Sequence, residues 1–468
     1  MRPGVETWEG LPLHETGTFD YVILGGGVAG MSAASVLGDR CVVLERESRP
    51  GGLVRSENVG GYWFDRVLHL LHFQDADTEE LVRPLLAEEL ACCPPEAWVE
   101  TSAGVTRYPF QMNLGALDPS TVSACLADLA EVRRVPPPAD LGESLLCTFG
   151  STMCDLFMLP YNRKLWQRPL ETLEPDVAWT VARPAFGDVL RGAVSPGNEF
   201  TPYNARGWYP RPGAGASPRG MERLSLALAD TVRNLRTGYE VTEVDPGTRS
   251  VVAVRTETGG EEVFAYRQGL VSTIPLPDLV GMIPGCPARM AGLAAGLSWN
   301  RVYSVMLTVC GPRPEDCGLW RYYADETLCF TRLVFMHSFD PLSAPQDGWG
   351  VLAEIPESAE LPVRDGEEIR GLAVADLERS RVIPPDSVTG GWRVVVTEPA
   401  YVAFTHGTRA AVEALTGFLD GNDIHPLGRY GRWEYSSMAQ VIRDGFELGG
   451  RLSAHARPPA ASGDRTGP

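Results

Sequence analysis

The chain has 468 residues, 44% of them hydrophobic and 22% charged, with 41 Lys+Arg against 60 Asp+Glu and a formal net charge of −19. That length exceeds one ordinary core, so it predicts two or three packed lobes of a globular protein and excludes a disordered chain. The acidic balance argues against nonspecific nucleic-acid binding, which needs a basic stripe, yet leaves room for a local cationic pocket.

No apolar run approaches the roughly 18 residues that a membrane-spanning helix needs. The first 19 residues carry Glu6, Glu9 and Glu15 and no apolar signal core, so no secretory signal is expected there. The ten cysteines include the neighbours Cys92 and Cys93 but no Cys-x-x-Cys pair. Free thiols in a reducing cytoplasm are therefore expected. Of the 41 basic residues one is a lysine, Lys164, a bias typical of GC-rich coding.

In chain order, Tyr21–Leu24 is predicted as a strand that runs into Gly25-Gly26-Gly27-Val28-Ala29-Gly30. Residues 31–37 follow as a helix of small and apolar residues, and 41–45 as a second strand ending in Glu45. Gly25 permits a tight turn, Gly27 lets a pyrophosphate approach the backbone, and Gly30 lets the helix pack on the strand. Glu45 falls where a carboxylate accepts hydrogen bonds from an adenosine ribose. The order strand, glycine turn, helix, strand, acid predicts a dinucleotide-binding fold.

Further on, 130–140 carries Pro136-Pro137-Pro138 and predicts a loop, 144–168 a largely helical stretch, and 193–218 an extended loop beside a site. Residues 238–274 alternate as strands around the turn Asp245-Pro246-Gly247, and a second β-rich block is expected over 300–356 and 390–405. The tail 453–468 is expected to be disordered.

Directly after the ribose acid stands Arg49-Pro50-Gly51-Gly52-Leu53-Val54-Arg55-Ser56, and Gly428-Arg429-Tyr430-Gly431 precedes a helix near Met438. In these features the chain resembles the flavoprotein group of amine oxidases, protoporphyrinogen oxidases and UDP-galactopyranose mutases. The resemblance implies FAD, held by Gly25, Gly27, Gly30, Glu45, Gly51, Gly52, Val241, Thr273, Gly428, Arg429 and Met438.

Six further segments, in order over roughly 20–445, resemble UDP-galactopyranose mutases of the larger, eukaryotic type. They are Tyr108-Pro109-Phe110-Gln111, Tyr161-Asn162-Arg163-Lys164-Leu165-Trp166, Trp179 to Pro184, Tyr203-Asn204-Ala205, Tyr322 with Phe330-Thr331-Arg332, and Tyr435. The resemblance implies Tyr108, Gln111, Asn162 and Trp166 at a uridine, Asn204 near a sugar phosphate, and Arg183, Tyr322, Arg332 and Tyr435 at a diphosphate. Chemistry supports the types: arginine forks and tyrosine hydroxyls bind phosphate oxygens through charge-assisted bonds, and an indole stacks on a base. For Arg183 and Arg332 the competing reading is a surface salt bridge; for Trp166 and Tyr435 it is core packing.

The expected fold class is α/β: a Rossmann-type FAD-binding domain with an inserted helical region and a β-rich substrate domain. The FAD domain is expected to be discontinuous, over 20–75, 220–275 and 420–450. Residues 76–219 make the mainly helical region and 276–419 the β-rich one. His69 is expected beside the flavin, and the pair His69 and His72 lacks a third ligand, so no metal is expected.

Two departures bear on the reaction. Mutases carry Gly-Gly-His beside the flavin, where this chain reads Val67-Leu68-His69, and β-branched Val67 resists a left-handed backbone. Phe404 stands where the family has a phosphate tyrosine, with Tyr401 as the alternative. The resemblance thus implies a mutase-like enzyme that uses flavin N5 at the anomeric carbon of a nucleotide sugar, with NAD(P)H as the candidate reductant. The alternative is an oxidoreductase of the amine oxidase or protoporphyrinogen oxidase sort, acting on a C–N or C–C bond. A nonenzymatic flavin-binding module is the third reading.

Overall fold

The structure is a computed structural model that describes residues 14–73, 75–132, 137–180, 183–195 and 206–454. Its first sheet has seven strands in the order Tyr239–Asp245, Ser250–Arg255, Glu261–Ser272, His14–Leu24, Cys41–Glu45, Leu235–Thr237, with Ile424–Pro426 also paired to Glu261–Ser272. His14–Leu24 runs parallel to both neighbours, and all five residues of Cys41–Glu45 are buried. A strand covered on both faces reads as a continuous apolar run, as Cys41-Val42-Val43-Leu44 does. The antiparallel part turns at Asp245-Pro246-Gly247, as the alternation predicts.

The helix after the glycine turn is Val28–Leu37, three residues longer at its start than predicted, and it packs against the C-terminal helix Met438–Ala454. Small side chains make the first helix buried nearly all round. The tail beyond Ala454 lies outside the described residues.

A second sheet of eight strands holds Val388–Thr397, Ser298–Cys310, Gly348–Ser358, Arg332–Phe335, Trp320–Tyr323, Ala97–Thr101 and Gly104–Arg107 in order, with Val402–Ala403 on Ser298–Cys310. Two of these strands, 97–101 and 104–107, come from the segment expected to be mainly helical. The stretch predicted helical over 144–168 is Leu141–Met153, a π turn Cys154–Met158, and Leu159–Trp166. Asp140 caps it by accepting the Glu143 amide at 3.0 Å. No helix among the described residues is long and apolar enough to cross a membrane. The mixed sheets and the glycine-turn unit are the α/β fold that the sequence predicts.

Candidate functional site

The glycine turn is built by close approach. Gly25 donates its amide to Leu44 O at 2.9 Å and has φ +101°, and a Cβ there would lie 2.2 Å from Thr273 Oγ1. Thr273 in turn donates both its amide and its hydroxyl to Leu24 O. A Cβ on Gly30 would lie 2.2 Å from Gly25 O. On Gly27 it would meet nothing within 4 Å, so this residue opens onto space at the N-terminus of Val28–Leu37, whose first-turn amides have no side-chain cap. Open backbone donors at a helix N-terminus form an anion cradle.

Glu45 closes the cradle. Its two oxygens accept the amides of Gly26 and Glu47, each at 2.8 Å, and Gly51 donates to Gly26 O at 2.8 Å. Gly52 has φ +55° on the same turn. Val241 sits in Tyr239–Asp245, and Gly238 beside that strand donates to Glu47 O at 3.0 Å. Gly428 faces Ala29 of the first helix, so the segment that carries Arg429 returns to the glycine turn. Met438 opens the helix packed on it.

A second cluster begins at that return. The Arg429 guanidinium lies 4.8 Å from the Tyr435 ring centroid and 5.8 Å from that of Tyr401, and its Nε is buried with no hydrogen-bond partner among the described residues. The Trp166 ring packs on the edges of Tyr435 and Tyr401 at 6.1 and 6.3 Å. Phe404 is 5.7 Å from Tyr435, whose hydroxyl donates to Val402 O. On the other side, Arg332 lies over Tyr322 at 5.8 Å, and Tyr322 contacts Tyr108 at 5.2 Å and Tyr161 at 5.5 Å. Burial, then the nearby charges of Arg429 and Arg332, push the His69 ring down to about 4.

Asn162 and Trp166 are buried and bond one another, the indole N–H donating to Asn162 Oδ1 at 3.1 Å, while Asn162 Nδ2 donates to Met158 O. Gln111 is also buried, in the turn Phe110–Met112. Arg183 is exposed, with its guanidinium 3.5 Å from Ser144 Oγ, and no contact joins it to the cluster among the described residues. Asn204, with Tyr203 and Ala205, lies outside the described residues. The other histidine of the pair, His72, has its Nδ1 3.0 Å from Arg206 O.

Sequence reasoning missed Glu354. This acid is the direct register partner of Arg332 across the strands Gly348–Ser358 and Arg332–Phe335, and its Oε2 accepts Arg332 Nε at 2.7 Å. The available signal was a lone acid in the otherwise apolar run Val351-Leu352-Ala353-Glu354-Ile355. Tyr161 was read within its motif without a role, and its burial raises its hydroxyl pKa well above the ordinary value.

The depressed ring of His69 has a stability consequence. Between pH 7 and pH 5 the unfolded chain protonates this histidine and the folded one does not, so stability falls with pH through this window. The expected cost is about 1–2 kcal/mol from His69. Denaturant titrations at the two pH values check it: His69→Gln should show a smaller loss than the wild type, and an equal loss refutes a neutral His69.

Comparison with known proteins gives the same fold. A family model described as an NAD(P)-binding Rossmann-like domain matches residues 23–85. Reduced UDP-galactopyranose mutase superposes with a TM-score of 0.84 at 22% identity, covering 94% of this chain and 96% of that one. A CLA-producing fatty acid isomerase from P. acnes gives 0.60 at 13% identity over 92% and 98% of the two chains. Putrescine oxidase bound to putrescine gives 0.59 at 15% identity over 93% and 99%. The chain therefore has a fold that these isomerising and oxidising proteins share, and the reaction has to be argued from the site.

Proposed function

We propose that the protein is an FAD-dependent enzyme acting on a nucleotide-activated sugar in the manner of UDP-galactopyranose mutase. The observation that carries the reading is the two runs of contacts Tyr108–Tyr322–Arg332 and Arg429–Tyr435–Trp166, with Arg429 on the segment that returns to the glycine turn. Two guanidiniums flanked by phenols form a binding surface for a diphosphate, and a buried ring system beside them excludes water.

The residues present fit a flavin dinucleotide. The open Cβ direction of Gly27, the uncapped helix and the Glu45 carboxylate suit a pyrophosphate and a ribose, with Gly25 and Gly30 shaping the turn. Gly51, Gly52, Val241, Thr273, Gly428 and Met438 line the same region in this reading. FAD, when bound, supplies a nucleophilic N5 if reduced or a hydride acceptor if oxidised. The chain's own work is then to hold the leaving diphosphate at Arg332, Arg429 and Tyr435. The uridine goes beside Tyr108, Gln111, Asn162 and Trp166. His69, neutral in the working pH range, offers a hydrogen bond and no charge.

One observation favours an oxidoreductase acting on a C–N or C–C bond: Glu354 neutralises Arg332, and a carboxylate in this position suits a cationic amine. A titration separates the two. Dithionite-reduced protein should change its flavin absorbance on adding UDP-galactose, and Arg332→Ala should weaken UDP binding about tenfold or more. Silence toward every nucleotide sugar, with oxygen-linked turnover of an amine, would establish the oxidoreductase instead.

A further inference from the structure

We infer that Glu354 is an internal counter-anion that competes with the ligand for Arg332 and thereby sets the anion affinity of the candidate site. The inference deepens the nucleotide-sugar reading and rests on it.

The competition follows from register. Arg332 and Glu354 are paired residues on neighbouring antiparallel strands, so their side chains leave the same face of the sheet side by side. Both are withdrawn from solvent, at 16% and 6% side-chain exposure. Glu354 Oε2 takes Nε of the guanidinium at 2.7 Å and Nη2 at 2.5 Å. The other oxygen faces the amide of Leu68 at 3.4 Å, so one carboxylate touches both the arginine and the segment Val67-Leu68-His69. Tyr322, Tyr161 and Tyr401 stand round the pair and offer dipoles without formal charge.

The charge count decides what this does to a ligand. Arg332 and Arg429 contribute two positive charges, Glu354 one negative charge, and His69 is neutral, so the cluster carries 2 − 1 = +1. A nucleoside diphosphate brings about two negative charges, and at contact range in a half-buried site one unit charge shifts anion affinity by about tenfold or more. A diphosphate at Arg332 therefore has to share the guanidinium fork with a carboxylate already seated in it. Glu354 is a positioning residue: it holds the fork ready in the free enzyme and weakens every anion that comes to it.

The test measures UDP and uridine affinities by calorimetry on flavin-loaded wild type, Glu354→Gln and Glu354→Met. Glu354→Gln keeps the side-chain shape and removes the charge, and is expected to bind UDP about tenfold tighter or better while uridine changes by less than about twofold. Glu354→Met has to move the same way, and covers the case in which the glutamine variant loses flavin. In an Arg332→Met background the gain should shrink, because the fork that Glu354 occupies is gone. UDP affinity that is unchanged or weaker in the neutral variants, with the wild type binding UDP, overturns the inference and leaves the nucleotide-sugar reading standing. Absence of UDP binding in wild type and variants alike overturns both.

Discussion

Lys164→Met is expected to lower stability by about 3 kcal/mol or more, one of the largest single-residue effects in the protein. Lys164 is buried in Leu159–Trp166, and its Nζ donates to Tyr323 O at 3.2 Å, Asp325 O at 2.7 Å and Phe330 O at 2.7 Å. Removing the ammonium strands the carbonyls of the buried residues Tyr323 and Phe330, at about 1–3 kcal/mol each, while that of exposed Asp325 can turn to water. Burial also penalises the charge, pushing the ammonium down to about 8, and relief of that penalty offsets part of the loss.

Lys164→Arg should fail to rescue. An ammonium aims three donors from one nitrogen into a tripod of oxygens, whereas a guanidinium spreads five donors in a plane and is bulkier. The three carbonyls belong to the turn between Tyr322 and Arg332, so the same anchor fixes both residues against the helix that carries Asn162 and Trp166. Thermal unfolding and flavin content of both variants check the expectation. A Lys164→Arg protein with unchanged midpoint and flavin would show that the lysine is incidental.

Gly30→Ala is expected to yield protein with little or no bound flavin, a loss of cofactor affinity of about a hundredfold or more. The new Cβ would stand 2.2 Å from Gly25 O and 3.3 Å from Ile23 Cγ2, and the first of these is backbone in the turn itself. Neither side can give way without moving the helix off its strand. Gly27→Ala is the informative companion, since its Cβ meets no protein atom within 4 Å. That variant should unfold in the flavin-free state like the wild type and still lose flavin, because its methyl group fills the space in front of the helix N-terminus. Absorbance of the purified proteins and reconstitution with FAD measure both. If Gly27→Ala binds flavin normally, the cradle does not hold the pyrophosphate there.

Much of the nucleotide unit is legible residue by residue. The strand into Gly25, the buried strand Cys41–Glu45 and the acid at its end follow from apolar runs, glycine spacing and a carboxylate that closes an apolar run, all within 25 residues. The second site is legible only as residue types. Tyr108, Trp166, Tyr322, Arg332 and Tyr435 carry the right chemistry, and the structure joins them through ring and charge contacts. Arg183, equally plausible as a letter, stands exposed beside Ser144. The break in the helical stretch at Cys154–Met158 and the strands 97–107 in the second sheet were also beyond a local pattern.

By itself, then, the sequence determined what short-range sterics and hydrophobic period control: the tight glycine turn, the parallel strands around it, and the supply of arginines and tyrosines for an anion. Tertiary structure alone decided which charges meet. Strand register set Glu354 opposite Arg332 across 22 positions of chain, and the fold brought three carbonyls of a distant turn onto the single lysine. Those choices depend on long-range pairing, where a shift of one residue would turn each side chain to the other face of its sheet, and no local pattern encodes that.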